Sequence, residues 1–260
     1  MLYRGLSPIF ILKKKKMNSY QDYENWKDWK KISFGTFTSI DKAYFTAELK
    51  RTGIDFNKPI RLYEIGFGNG TFAGYAQSLG YQYSGSEVNQ ALIERARNFG
   101  LHVYEQGIKQ VIDSTGPDTY DAILAFDVLE HLDIAEIKSF LIDARVLLKE
   151  RGTILARIPS GDSPFGRAIF HGDITHKTTL GSSAVRQLAE QTGFEVIDIG
   201  PPRLPILGIG FIRAFRRGGI LLAQSIVAKL INLVFHDGQP RVITADLVFV
   251  LRKPQAAQDL

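Results

Sequence analysis

Residues 61–72 read Arg61-Leu62-Tyr63-Glu64-Ile65-Gly66-Phe67-Gly68-Asn69-Gly70-Thr71-Phe72, an apolar strand with one acidic residue that breaks into three alternating glycines. Glycine adopts backbone conformations that other residues resist, and it lets a ligand approach the main chain closely. The start of a helix presents free N–H groups to such a ligand. The stretch therefore predicts a strand, a tight turn and a helix start that together form a binding site.

A second acidic residue, Glu87, follows Gly66 by 21 positions. It stands at the end of the next apolar segment, residues 81–86. A carboxylate at this distance from a glycine turn can accept hydrogen bonds from both ribose hydroxyls of a nucleoside. The two features together predict a cofactor that contains a nucleoside.

The spacing of the glycines distinguishes between cofactors. The dinucleotide pattern G-x-G-x-x-G would require glycine at position 71, where this chain has Thr71. The spacing is G-x-G-x-G instead, and Glu64 lies two residues before the first glycine. This stretch resembles motif I of the class I S-adenosylmethionine-dependent methyltransferases, and Gly85-Ser86-Glu87 resembles their motif II. The resemblance implies S-adenosyl-L-methionine as the cofactor.

Three further segments extend the resemblance, in order, over about residues 60–200 and 242–253. Residues 120–132, Tyr-Asp-Ala-Ile-Leu-Ala-Phe-Asp-Val-Leu-Glu-His-Leu, resemble the fourth-strand segment of the ubiquinone-biosynthesis O-methyltransferases. Residues 152–159 are similar to the family's fifth strand, and residues 193–196 to the entry of its sixth.

Short apolar runs alternate with amphipathic segments, which predicts an α/β fold with a mainly parallel sheet covered on both faces. We expect strands near 61–65, 81–87, 101–105, 120–126, 152–158, 194–199 and 243–252, and helices near 70–79, 89–99, 134–149 and 182–192. The family resemblance implies a Rossmann-like, seven-stranded sheet with an antiparallel last strand. The methyltransferase domain is predicted to comprise residues 58–202 and 242–254.

An N-terminal helical lid is predicted at residues 18–57. Tyr23 and Trp26 have helical spacing, and Asp41 can cap a helix that runs to about Arg51. In related methyltransferases such helices close over the cofactor, so Tyr44 or Phe45 is a candidate to line the site; packing on the core is the alternative. Residues 1–17 hold an apolar stretch followed by lysines, the wrong order for a signal peptide, and are interpreted as a disordered leader or a start-site artefact.

Residues 203–241 form a basic amphipathic insertion between strands six and seven. Six basic residues and one acidic residue give it a charge of +5, equal to the net charge of the whole chain. Its apolar run, Ile220 to Phe235, is too short to span a bilayer, but a basic amphipathic segment suits the surface of a membrane. A substrate lid or a dimer surface is the alternative. The segment resembles no nucleic-acid-binding module, so nucleic acid is not an expected partner.

Methyl transfer requires the acceptor atom in line with the sulfur–methyl bond, and a hydroxyl acceptor benefits from a base. His131 follows the fourth strand, and Asp173 and His176 lie in the loop after the fifth, all beyond carboxyl ends of parallel strands. These three are the candidate catalytic residues. For His131, a structural role at the start of a helix is the equal alternative.

The family resemblance also assigns the cofactor site. It implies that Glu64 acts at the methionine end, that the glycine turn gives close backbone approach, that Glu87 binds ribose and that Asp127 faces the methionine or methyl-transfer region. The residues predicted to bind the cofactor are Glu64, Gly66, Gly68, Gly70, Glu87, Gln106, Gly107, Phe126 and Asp127, with Gln106, Gly107 and Phe126 beside the adenine. For Phe126, packing in the core is the equal alternative. No metal is included in the prediction. Asp127, Glu130 and His131 would share a face in a helical turn, which leaves a divalent cation as an alternative.

The sequence therefore predicts a methyltransferase that acts on a hydroxyl of a bulky or lipid-linked glycan or small-molecule acceptor. The aromatic N-terminal region and the Asp173-x-x-His176 loop resemble methyltransferases encoded with bacterial surface-polysaccharide genes, which favours a glycan. A nicotinamide oxidoreductase and a non-catalytic cofactor-binding scaffold are the alternatives. The chain has no cysteine, which excludes disulfides and thiolate chemistry and fits a cytoplasmic protein. The basic insertion adds the expectation of peripheral contact at the inner face of the membrane.

Overall fold

The structure is a computed structural model, and it describes residues 32–105, 107–206 and 210–255. The predictions for the leader, for residues 18–31 of the lid and for Gln106 lie outside these ranges. The strands are β1 (Arg61–Ile65), β2 (Gln82–Ser86), β3 (His102–Tyr104), β4 (Tyr120–Phe126), β5 (Leu148–Pro159), β6 (Glu195–Gly200) and β7 (Asp246–Arg252). The helices are α1 (Ser39–Leu49), α2 (Thr71–Ser78), α3 (Gln90–Asn98), α4 (Ile108–Thr115), α5 (Ile134–Leu147), α6 (Gly166–Phe170), α7 (Ser182–Thr192) and α8 (Phe211–Phe235).

The strands form one seven-stranded sheet in the order β3-β2-β1-β4-β5-β7-β6. Strands β1 to β5 pair in parallel, and β7 pairs antiparallel with both β5 and β6. The predicted Rossmann-like fold with an antiparallel last strand is confirmed. The strand order changes direction between β1 and β4, and in such sheets ligands bind outside the carboxyl ends of the strands at this point.

Helices cover both faces of the sheet because successive side chains of the central strands point to opposite sides. On one face, Tyr63 and Ile123 belong to a buried cluster with residues of α4, α5 and α7. On the other, Leu62 and Leu124 pack with Phe45 of α1 and with residues of α2. All four of these strand residues are fully buried. The sequence predicts no helix at residues 108–115, but α4 forms there.

The lid includes α1, which begins as a capping box. Asp41 Oδ2 accepts the backbone N–H of Thr38 at 2.8 Å, and Asp41 N donates to Thr38 Oγ1 at 3.2 Å. The predicted helix is present, with Asp41 in its first turn and Thr38 as the N-cap. Its far end is anchored by buried Arg51, which donates to Glu48 Oε2 at 3.0 Å and to Asp198 Oδ2 of β6 at 2.9 Å.

The insertion between β6 and β7 contains α8, a continuous helix of 25 residues. Its length is about 37 Å at a rise of about 1.5 Å per residue. By length and composition alone, α8 is the one helix among the described residues that could cross a membrane. The sequence analysis judged the apolar run Ile220 to Phe235 too short to span a bilayer. The helix that contains this run begins earlier, at Phe211, and is long enough as a whole.

Candidate active site

The glycine turn after β1 adopts left-handed backbone conformations that explain its composition. Gly66, Gly68 and Gly70 have φ values of 67°, 53° and 72°. A Cβ on Gly66 would lie 2.5 Å from Val128 Cγ2, and a Cβ on Gly70 would lie 2.4 Å from the ring of Phe34. A side chain at either glycine would therefore displace a neighbour as well as strain the backbone.

A cavity of about 610 Å³ lies over this turn, at the carboxyl ends of β1, β2 and β4. Eight predicted site residues line it: Glu64, Gly66, Gly68, Glu87, Gly107, Phe126, Asp127 and His131. Gly70 contributes to the turn as the residue before α2 but does not line the cavity. Tyr44 and Phe45 of the lid form part of the wall, as the sequence analysis proposed. The volume is within the range of small-molecule sites, about 300–1,000 Å³.

Glu87 is held at the cavity wall by backbone N–H groups. Its Oε2 accepts from Gly68 N at 3.0 Å, and its Oε1 accepts from Val88 N at 2.7 Å and from Asn89 N at 3.1 Å. Burial raises the pKa of Glu87, and these three donors oppose the shift. A carboxylate has about four acceptor sites, so it retains capacity for a ligand hydroxyl.

Glu64 is 3% exposed, and its Oε2 accepts the hydroxyl of Tyr83 at 2.6 Å. Burial raises the pKa of Glu64 to about 8; the Tyr83 hydrogen bond opposes this shift and the charge of Glu87 adds to it. A positively charged ligand group beside Glu64 would favour its ionised form.

Asn69, to which the sequence analysis assigned no role, supplies an unsatisfied acceptor. It is buried and lines the cavity, and its Oδ1 has no hydrogen-bond partner within the described structure. A buried polar atom without a partner is costly, and a ligand donor would remove that cost. The glycine cradle and this orphan oxygen both fit the methionine end of S-adenosylmethionine, whose ammonium group donates hydrogen bonds.

Asp127 directly follows β4 and has a left-handed conformation with φ 56°. Its Oδ1 accepts from Arg157 Nε at 2.8 Å, and Arg157 Nη1 donates to the hydroxyl of Tyr44 at 3.0 Å. Burial raises the pKa of Tyr44 to about 12, and the Arg157 charge opposes that rise. The three side chains connect the ends of β4 and β5 to the lid at the cavity wall.

Phe126 lies both at the cavity wall and in the core. Its ring centroid is 5.6 Å from that of Phe45 and 5.7 Å from that of Phe72. The position is consistent with the prediction that it borders the adenine and with the alternative that it packs the core.

His131 lines the cavity, and the other two candidate catalytic residues lie behind it. Thr175 Oγ1 is 2.9 Å from His131 Nδ1 and donates to Asp173 Oδ1 at 2.6 Å. Because the threonine has one hydroxyl hydrogen and gives it to the carboxylate, its oxygen accepts the Nδ1–H of His131. The basic lone pair of the neutral imidazole is then on Nε2.

His176 and Asp173 do not line this cavity. His176 Nδ1 lies 2.8 Å from the carbonyl oxygen of Phe170, and its Nε2 is 3.9 Å from carboxylate oxygens of both Asp173 and Glu130. The carbonyl of Glu130 accepts the backbone N–H groups of Lys177 and Thr178, at 2.7 and 3.1 Å, which fixes the loop against the residues after β4.

The structure groups possible metal ligands differently from the prediction. Residues 129–131 form a short 3₁₀ turn, and Asp127 faces Arg157 rather than sharing a helical face with Glu130 and His131. Instead, ligand atoms of Glu130, His131 and His176 lie within 4.8 Å of one another. The alternative ligand set of Asp127, Glu130 and His131 is therefore wrong in its geometry.

The sequence analysis gave no role to Asn69, Arg157 or Thr175. Signals for all three were present: Asn69 stands between two of the glycines, Arg157 near the carboxyl end of a predicted parallel strand, and Thr175 between the two candidate residues of its loop. The sequence does not show which residues they meet in the fold: Arg157, for example, contacts Tyr44 across 113 residues of chain.

Comparison with known proteins places this site in a family. A family model described as a methyltransferase domain matches residues 37–199. No curated protein matches the chain in sequence.

Three solved structures have a similar fold at low sequence identity. An S-adenosylmethionine-dependent methyltransferase from Archaeoglobus fulgidus is 17% identical with a TM-score of 0.58, over 82% of this chain and 94% of that one. The 1,6-didemethyltoxoflavin-N1-methyltransferase of Burkholderia thailandensis, solved with 1,6-didemethyltoxoflavin and S-adenosylhomocysteine, is 13% identical with a TM-score of 0.53, over 90% and 84%. An S-adenosylmethionine-dependent methyltransferase from Mesorhizobium loti is 13% identical with a TM-score of 0.52, over 81% and 97%.

Because the family model spans more than half of the chain, the protein belongs to the methyltransferase-domain family, and it is a class I S-adenosylmethionine-dependent methyltransferase.

Proposed function

We propose that this methyltransferase transfers the methyl group of S-adenosylmethionine to a hydroxyl of a bulky or lipid-linked acceptor, with a glycan as the favoured class, at a membrane surface. The observation that carries the hydroxyl assignment is His131, an imidazole that lines the cofactor cavity and is held by Thr175. S-adenosylmethionine supplies, when bound, a methyl group activated on a positively charged sulfur.

The residues of the cavity wall would hold the cofactor. Asn69 Oδ1 and the Glu64 carboxylate suit the ammonium group, and Glu87 suits the ribose hydroxyls. Gly66 and Gly68 let the ligand approach the backbone. These assignments follow the family resemblance, and the shared cavity supports them.

His131 would act as the general base. The acceptor oxygen forms its bond to the methyl carbon as the carbon–sulfur bond breaks, and the hydroxyl proton moves to Nε2 of His131. Thr175 and Asp173 keep the ring in the tautomer that can accept this proton and stabilise the cation that results. A positioned base contributes about 10²–10⁴-fold to rate.

The outer face of α8 supports the membrane part of the proposal. Large apolar residues recur there at helical spacing and are exposed: Phe211, Ile212, Phe215, Leu222, Ile226, Leu230 and Leu233. Arg213 and Arg216, in the first two turns of the same helix, are exposed as well. A basic, apolar helix face of this kind binds the interface of an anionic membrane.

The topology favours a helix that lies on the membrane over one that spans it. The strands on either side of the insertion, β6 and β7, pair with each other in one sheet. A single crossing would put them on opposite sides of the bilayer, and the extended chain after the helix could not recross hydrocarbon. We therefore place the protein in the cytoplasm, peripheral at the inner face of the membrane.

The test is methyl transfer from labelled S-adenosylmethionine to components of cell extracts, separated into soluble and membrane fractions and identified by mass spectrometry. The proposal predicts an O-methylated product in the membrane fraction, and loss of labelling with His131→Ala. Labelling of nitrogen or carbon acceptors alone would contradict the hydroxyl assignment.

A further inference from the structure

A second cavity, of about 900 Å³, adjoins the cofactor cavity. Asp41, Tyr44 and Arg157 line both, so the two spaces meet at the lid. The other walls are the start of α7, the segments on either side of the insertion, and the inner face of α8. A ligand in this second cavity can therefore extend towards the transferred methyl group.

Three arginines line the second cavity away from the shared wall: Arg186, Arg217 and Arg241. Arg217 Nη1 donates to the carbonyl of Pro205 at 2.9 Å, and the Arg241 guanidinium contacts the hydroxyl of Ser183. Among the ion pairs of the described residues, none involves these three arginines, whereas Arg203 pairs with Asp198 and Arg157 with Asp127.

The charges in the cavity are distributed unevenly. Its acidic residues are Asp41, in the first turn of α1, and Asp246, which begins β7 and pairs with Pro159 of β5. Arg241 contacts Ser183 in the first turn of α7, and Arg186 lies on the next turn of the same helix. This end of the cavity therefore combines cationic side chains with serine hydroxyls. The neighbouring carboxylate of Asp162 is not in the described lining, and its Oδ2 accepts the backbone N–H groups of Ser182 and Val242 at 3.0 and 3.4 Å.

Guanidinium groups bind phosphate oxygens through paired, charge-assisted hydrogen bonds. A neutral sugar would not neutralise three such charges, and an anion would. The cavity is large enough for a phosphate together with a sugar ring, since sites for drug-sized ligands measure about 300–1,000 Å³.

We infer that this cavity binds the acceptor and that Arg186, Arg217 and Arg241 hold a phosphate or diphosphate group on it, with the hydroxyl to be methylated reaching past Tyr44 and Arg157. The inference rests on the proposed function and makes the acceptor class more specific. The phosphate belongs either to a lipid carrier or to a soluble sugar phosphate or nucleotide. The outward apolar face of the same helix favours the lipid carrier.

Calorimetry of the full chain with inorganic diphosphate tests the anion site directly. We expect binding to weaken about tenfold or more in Arg186→Gln/Arg217→Gln, because charged hydrogen bonds are lost. Arg213→Gln/Arg216→Gln is the matched control: it removes the same charge from exposed positions of the insertion that do not line the cavity. Arg186→Gln is also measured alone, so that a folding defect of the double variant is not mistaken for loss of the anion site; Arg186 is an exposed side chain on α7.

Equal affinity in all variants, or no diphosphate binding by the unaltered protein, overturns the inference. S-adenosylhomocysteine is titrated into the same samples, so that retained cofactor binding without anion binding rejects this inference alone. If the unaltered protein binds neither S-adenosylhomocysteine nor diphosphate, the proposed function is rejected as well. Dodecyl phosphate and uridine diphosphate then distinguish the sources: tighter binding of the first supports a lipid carrier and of the second a soluble acceptor. If neither binds through Arg186 and Arg217, the cavity is not the acceptor site.

Discussion

Thr175 fixes the ring of His131 through a hydrogen bond of 2.9 Å to Nδ1, with Asp173 accepting the threonine hydroxyl at 2.6 Å. The relay links the loop after β5 to the turn after β4, and it keeps the ring proton of neutral His131 on Nδ1 and the basic lone pair on Nε2. The role of His131 as a base therefore depends on a hydroxyl that is not itself in the cofactor cavity.

Thr175→Val removes this hydroxyl at nearly constant volume. We expect turnover to fall about tenfold or more, as part of the contribution of a general base, while affinity for S-adenosylhomocysteine changes little. Thr175→Ser should restore turnover, and Thr179→Val, at an exposed threonine of the same loop, should leave it unchanged. Equal rates for the valine and serine variants would contradict the relay.

His131→Gln and His176→Gln separate the two candidate histidines. Only His131 lines the cofactor cavity, so its variant should lose about 10²–10⁴-fold in turnover and the acid limb of its pH–rate profile. The His176 variant should retain that limb, because His176 bonds to the Phe170 carbonyl behind the site. Rates are measured with saturating cofactor; a larger loss in His176→Gln would reverse the assignment.

Glu64 makes the stability of the cofactor-free protein depend on pH. Burial raises its pKa from 4.5 to about 8, so the folded state holds a proton that the unfolded state releases near pH 4.5. The contribution of Glu64 to the free energy of unfolding is fully present below pH 4.5 and is lost as pH rises towards 8. Glu64→Gln should therefore melt higher than the unaltered protein at pH 8, by on the order of a few degrees, with a smaller difference at pH 5. Thermal unfolding checks this; exposed Glu94→Gln should show no such trend.

The outer face of α8 predicts salt-sensitive binding to anionic liposomes. Each basic residue near an anionic surface contributes about 1 kcal/mol, so Arg213→Glu/Arg216→Glu should sediment much less than the unaltered protein at low salt. Arg145→Glu/Arg167→Glu makes the same charge change at exposed positions outside the insertion and should sediment normally. Absence of sedimentation in the unaltered protein would assign α8 to acceptor covering or self-association.

The sheet and the cofactor turn could be predicted because their signals are local. The glycine spacing, Glu64 and Glu87 each constrain neighbouring backbone, and Glu64, Gly66, Gly68 and Glu87 all line one cavity. The full length of α8 was not predicted, because Arg213, Arg216 and the Gly218-Gly219 pair interrupt the apolar pattern without interrupting the helix. The face shared by Asp127 and His131 was also predicted wrongly, since the left-handed Asp127 backbone and its bond to Arg157 depend on β5, which lies far along the chain.

Calorimetric titration with S-adenosylhomocysteine tests the central claim most directly. The account predicts one binding site per chain, with an affinity that falls about tenfold or more in Glu87→Ala through loss of a charged ribose contact. The affinity should be unchanged in Glu105→Ala, because Glu105 does not line the cofactor cavity. Binding of NAD with no affinity for S-adenosylhomocysteine would contradict it.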